Sequence, residues 1–146
     1  MRVDSYVLKD MKILKYYRLV RKWACKTYSL NDADLELLIY LDSLGRFTRK
    51  DFMNGVYLYS WDKHRWERLR KEGWIEAWRE RNRLDSKYAI YKTSFKFSLI
   101  LARIYRILSG EEDLPVTNNN VFYKNKTYTE KVFNKAMDDM LKDKDR

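Results

Sequence analysis

Cysteine and histidine each occur once in the 146 residues, as Cys25 and His64. A single cysteine excludes a disulfide framework and a cysteine-rich metal site, and a single histidine excludes a multi-histidine zinc centre. Glycine occurs four times and proline once. An all-β fold needs turn residues every ten positions or so, and this chain does not supply them. No apolar run approaches the roughly 18 residues of a membrane span. Near the N-terminus, Lys9, Asp10, Lys12 and Lys15 stand where a signal peptide would be uncharged. Phosphate loops of the Gly-rich kind, G-x-S-x-G elbows and H-E-x-x-H helices are all missing. The acid pairs Glu111/Glu112 and Asp138/Asp139 fall on a polar loop and a polar helix face, with nothing to position them. The expectation is a protein that is not an enzyme and uses no metal or cofactor.

What the chain does have is apolar bulk and positive charge. Apolar residues make up 45% and aromatics 16%, well above what a disordered chain carries. The length suits one domain spanning 1–146. Lys and Arg number 31 against 21 Asp and Glu, a net charge of +10. Much of the surplus lies in 46–92, while 31–45 is acidic through Asp32, Asp34, Glu36 and Asp42. Such a surplus favours a polyanion, because every neutralised phosphate releases condensed counterions. Together these features predict a soluble, cytoplasmic, mainly helical protein with no membrane partner.

Periodicity gives the element order. Tyr17, Val20, Ala24 and Tyr28 follow Ile13 at helical spacing, with Tyr16, Leu19 and Trp23 on an adjoining face, so one helix is expected over 6–28. Cys25, beside Ala24, reads as a small buried hydrophobe. Asn31 or Asp32 caps a second helix that runs to about Ser43, with Gly45 just past its end. Residues 46–48 form a short extended piece. Thr48 caps a brief helix ending near Asn54-Gly55, and Ser60 precedes another that runs to Glu72 and closes at Gly73. Trp66 and Leu69 belong to its core side. The alternation from Trp74 to Glu80 predicts a strand, Arg81 to Lys87 a turn, and Tyr88 to Lys92 the returning strand. Thr93 to Ser109 reads as a helix that is apolar almost all round. After a loop over 110–126, Thr127 and Glu130 form a capping box for a last helix with Phe133, Met137 and Met140 on one face.

This order, with Leu69-Arg70-Lys71-Glu72-Gly73-Trp74-Ile75 at the helix-to-wing junction and Asp85-Ser86-Lys87 in the wing, resembles the MarR family of bacterial transcription regulators. Lys87 stands where the family's D-x-R motif has arginine, and Asp62 and Arg65 stand where apolar residues are usual. The resemblance implies a winged helix-turn-helix over 31–92, mainly α with a small β-hairpin wing. It also implies flanking dimerisation helices in 1–30 and 93–146. The implied function is sequence-specific binding of double-stranded DNA by a homodimer that regulates transcription. Such a regulator would be nucleoid-associated, or act in host cytoplasm if the chain is encoded by a virus, and a small-molecule effector is left open.

Residue chemistry names candidates for each DNA contact. The second helix of the helix-turn-helix would offer Trp61, Lys63, His64, Arg65 and Arg68 to base edges, and Ser60 to a phosphate at its N-terminus. Arg79, Arg81 and Arg83, with Lys87, would place the wing in a narrow minor groove. Arg49 and Lys50 are candidates for backbone phosphates. The competing reading makes the chain a protein-interaction factor, associated with a polymerase, replication or host takeover. It would then dock through Tyr57, Tyr59, Trp61, Trp78 and Tyr88 without reading DNA sequence.

Overall fold

The structure, a computed structural model, describes residues 4–11, 15–59, 64–82, 87–115 and 127–143. It resolves into two compact units, one formed by 1–30 with 103–146 and the other by 31–102. The boundary between them falls within a single helix.

The unit 31–102 begins with α1 here defined as Asp32–Leu44, followed by β1 (Arg46–Phe47), α2 (Arg49–Tyr59) and α3 (Arg65–Lys71). Then come β2 (Ile75–Asn82), β3 (Lys87–Thr93) and the first half of α4 (Phe95–Ser109). The strands form one antiparallel sheet in the order β1-β3-β2, with Arg46 opposite Lys92 and Ile75 opposite Thr93. Three helices, a short edge strand paired with the central β3, and a β-hairpin make this a winged helix.

Local chemistry explains where the elements stop. The Asn31 side chain accepts from the Asp34 backbone N–H at 2.7 Å and caps α1. Thr48 and Asp51 cap α2 reciprocally, with Oγ1 accepting from the Asp51 N–H at 3.3 Å and Oδ2 accepting from the Thr48 N–H at 2.9 Å. Gly73 closes α3 at φ 84°. Trp74 N–H reaches the Leu69 carbonyl and Gly73 N–H the Arg70 carbonyl, the paired bonds of a helix end that needs a left-handed residue. Four boundaries differ from the sequence reading. α2 runs on through Gly55 to Tyr59, since one helical glycine costs only about 1 kcal/mol. α3 begins at Arg65, and the expected cap Ser60 lies outside the described residues with Trp61 and Lys63. β2 extends to Asn82, pairing Arg81 with Tyr88 and Asn82 with Lys87, where a turn was expected. α4 begins at Phe95, where a helix from Thr93 was expected, and Ser94 caps it, its Oγ accepting from the Phe97 N–H at 3.2 Å.

The core of this unit is built around Trp66, 2% exposed. Its ring centroid lies 4.9 Å from Phe52 of α2 and 4.7 Å from Tyr91 of β3, with Phe47 of β1 at 6.4 Å. These offset and edge-to-face contacts add to what area burial alone supplies. A second tie holds the same helix. Asp34, 1% exposed, sits in the first turn of α1. Its Oδ1 accepts from Arg65 Nη1 at 2.5 Å, and Arg68 donates Nη2 to Oδ1 at 2.8 Å and Nη1 to Oδ2 at 3.0 Å. A carboxylate taken out of water needs such partners, and the positive end of α1 favours it further.

The other unit contains helices α5 (Ser5–Met11), α6 (Tyr17–Tyr28) and α7 (Tyr128–Lys142), with the second half of α4. The single helix expected over 6–28 is thus two. Tyr16 leaves helical geometry at ψ 5°, and its hydroxyl donates to Asp143 at 2.5 Å beside an ion pair from Lys15. Residues 12–14, including Ile13, lie outside the described residues. α6 buries Leu19, Val20, Trp23, Ala24 and Cys25, and α7 buries Phe133, Met137 and Met140. Thr127 caps α7 as expected, its Oγ1 accepting from the Glu130 N–H at 3.1 Å. Arg103 donates to Glu112 at 2.6 Å and to the Tyr28 hydroxyl at 3.3 Å, so the Glu111/Glu112 loop is tied down by one of its acids.

Two substitutions test this account of how α3 is held. Trp66→Ala should lower the free energy of urea unfolding by about 3–5 kcal/mol. Asp34→Ala should cost about 2–4 kcal/mol, because it leaves two arginines without their acceptor. Asp34→Asn keeps one acceptor oxygen and should lose less. Equal midpoints for Asp34→Ala and the wild type would show that the arginines do not depend on this carboxylate.

Candidate nucleic-acid interface

α2 and α3 form the helix-turn-helix, and the orientation of α3 follows from what it buries. Trp66 and Leu69 face the core, so His64, Glu67, Arg68 and Lys71 occupy the opposite side. His64 is exposed in the turn before the helix. Arg65 and Arg68 are on this helix as the sequence reading expected, but their guanidinium groups are turned to Asp34. Arg65 also donates to Asn31 Oδ1 at 3.1 Å, and its side chain is 20% exposed. Arg68 is 41% exposed and also lies 3.7 Å from Glu72. The hydrogen bonds Arg68 donates to Asp34 outweigh its desolvation and raise its pKa above the usual arginine value. Its charge is therefore permanent, and part of it is already neutralised within the fold.

Other cations are placed differently. Arg49 and Lys50 are exposed in the first turn of α2. Positive charge there opposes the helix dipole at a cost of a few tenths of a kcal/mol each, so helix stability does not account for it. Arg79 and Arg81 are exposed on β2. Among the described residues, none of Arg49, Lys50, Arg79 and Arg81 has a carboxylate within ion-pair distance. Arg70, by contrast, lies 3.6 Å from Glu67 and 5.1 Å from the Tyr91 ring centroid. Arg83 lies outside the described residues, as does the side chain of Lys87. The site thus divides into cations held inside the fold at α3 and cations held out from it at α2 and the hairpin.

Sequence reasoning missed two residues that shape this region, and for Trp78 it missed the place in the strand. Asp34 read only as one of the acids of the stretch 31–45, and its arginine partners lie more than thirty positions away. Arg46 drew no attention, yet its guanidinium carbon sits 3.8 Å from the centroid of the Trp78 ring. Trp78 itself is an extra residue in β2, for Ala77 pairs with Tyr91 and Arg79 with the very next residue, Ile90. Only the long run of alternation after Trp74 could have hinted at it.

Among the described residues, no group of three or more His, Cys, Asp and Glu is placed to hold a metal ion. No helix among them is long and apolar enough to cross a membrane. A shallow cleft in the winged-helix unit, about 720 Å³, runs between α3 and β2 and is lined by Arg68, Arg70, Lys71, Glu67 and Glu76. Its charges are mixed and it is open to solvent, which suits water better than an enclosed ligand.

No family model matches the chain, and no curated protein does so. Among solved structures, the chain is similar to the crystal structure of the oxidized form of MarR from E. coli. The identity is 16% and the TM-score 0.44, over 97% of this chain and 95% of that one. The winged-helix assignment rests on the strand order and helix placement of this chain.

Proposed function

We propose that this chain is a homodimeric regulator of transcription that binds double-stranded DNA in a sequence-specific way. The observation that carries the reading is the exposed, unneutralised set of Arg49, Lys50, Arg79 and Arg81 on a winged helix. Two-thirds or so of protein–DNA hydrogen bonds go to the backbone, and cations of this kind supply them. In this reading α3 enters the major groove with His64 and the outward part of Arg68 toward base edges. By the sequence reading Ser60, Trp61 and Lys63 are further candidates for that contact, with Arg83 and Lys87 for the wing, and the hairpin with Arg79 and Arg81 follows the adjoining minor groove. Arg49 and Lys50 hold the flanking phosphates.

Support for a dimer comes from α4. Phe95 is 72%, Leu99 55% and Tyr105 54% exposed, and with Ala102 they follow one stripe along the helix. Large apolar side chains in such a row are costly to leave in water, and a second copy of the chain would cover them. Two half-sites one helical turn apart would then face the two α3 helices. In this reading the protein acts on DNA in the cytoplasm, and any small-molecule effector acts through the helices outside the winged unit.

Fluorescence-anisotropy titration of duplex DNA between about 50 and 200 mM salt tests the proposal. Six or more phosphate contacts should cost on the order of a thousandfold in affinity across that range. Replacing both Arg79 and Arg81 by alanine should flatten the log–log slope by about 2 and weaken all sequences alike. Duplex binding too weak to measure at the lowest salt, or a slope untouched by the double substitution, would count against it. For the dimer, Leu99→Glu should convert the sedimenting species to a monomer.

A further inference from the structure

The extra residue in β2 has an effect on which side chains share a face. In a regular strand, side chains alternate between the two faces of a sheet. On β3, Tyr91 and Thr93 point into the core, so Tyr88, Ile90 and Lys92 point out. Before the irregularity, Glu76 pairs with Lys92 and shares that outer face, as their 3.3 Å ion pair requires. Beyond it, Arg79 pairs with Ile90 and Arg81 with Tyr88. The bulge at Trp78 therefore changes the parity of the strand, and both arginines join the outer face in place of Glu80. Bulges recur where a side chain must be re-aimed.

The resulting face has an unusual composition. Among the described residues of this face, Arg46, Arg79, Arg81 and Lys92 supply four cations, and Glu76 is the one carboxylate. Trp78 is 40% and Tyr88 44% exposed among them. Arg46 lies against the indole at 3.8 Å, and Arg79 is 5.5 Å from its centroid. Cations around exposed flat rings are what a single strand of nucleic acid needs. Its phosphates take the charge, and its unpaired bases stack on rings or on guanidinium planes. Duplex DNA, whose bases are already stacked on one another, has no use for the rings, and an acidic polypeptide offers charge without a base to stack.

We propose that this outer face of the sheet is a binding surface for single-stranded nucleic acid, with Trp78 and Tyr88 as stacking residues and Arg46 as the cation that Trp78 holds in place. The surface is separate from the proposed duplex contact in its ring residues and shares only Arg79 and Arg81 with it.

The test is anisotropy titration of labelled oligothymidylate of 15 nucleotides, alongside a duplex and polyglutamate of similar length, using the full chain. Oligothymidylate should bind at about 50 mM salt with a log–log slope near −2 to −3, as expected for three or four neutralised phosphates at roughly 0.7 each. Trp78→Ala and Tyr88→Ala should each weaken it at least fivefold, about the least that a lost stacked base gives. Trp78→Phe should recover most of the affinity, and duplex binding should stay unchanged in all three. Should Trp78→Ala fail to fold by thermal melt, Tyr88→Ala and Trp78→Phe decide the matter. Absence of oligothymidylate binding, indifference to these substitutions, equal binding of polyglutamate, or a parallel loss of duplex affinity would each overturn the assignment. Duplex binding that fails while oligothymidylate binds would sink the regulator reading and leave this surface standing.

Discussion

The position of α3 depends on one buried ring. Trp66 meets Phe47, Phe52 and Tyr91, so a single side chain joins β1, α2, α3 and β3. A helix of seven residues forms too few internal hydrogen bonds to persist alone in water. Its geometry must come from what it packs on, and the aromatic cluster supplies that from three directions. Asp34 then sets rotation about the helix axis, because two arginines one turn apart converge on one carboxylate.

This arrangement divides the positive charge of the winged unit into two populations. One is spent inside the protein, where Arg65 and Arg68 answer a desolvated acid. The other stands in solvent at the start of α2 and along the hairpin, where Arg49, Lys50, Arg79 and Arg81 form no ion pair among the described residues. Net charge alone does not distinguish them. A long-range field arises mainly from the second population, since paired charges form short dipoles whose field decays faster than that of a lone cation. Counting lysines and arginines on a helix thus overstates what that helix offers a partner.

The sequence was informative wherever the physics was local. Gly73 ends a helix because the closing hydrogen bonds require a left-handed residue, and Thr127 starts one because its hydroxyl reaches a backbone donor three residues on. Trp66 and Leu69 were readable as core from their spacing, as were Phe133, Met137 and Met140. The wing's length was not, because Arg81 and Asn82 form strand through backbone pairing with Tyr88 and Lys87 and carry no apolar alternation. Asp34 with its arginines was illegible for a different reason: a pair separated by thirty residues leaves no periodic mark. The break between α5 and α6 has the same cause, with Tyr16 drawn to Asp143 at the far end of the chain.

The bulge in β2 also governs how this hairpin tolerates change in length. A strand has a reading frame of two, and Trp78 is a frameshift within it. Loss of that one residue would restore strict alternation and leave Arg79 and Arg81 opposite Ile90 and Tyr88, because the pairs on either side of it already match. A related hairpin without the bulge should therefore be one residue shorter on this side of the turn, and matching its sequence to this one without a gap at Trp78 would pair residues that lie on opposite sides of the sheet.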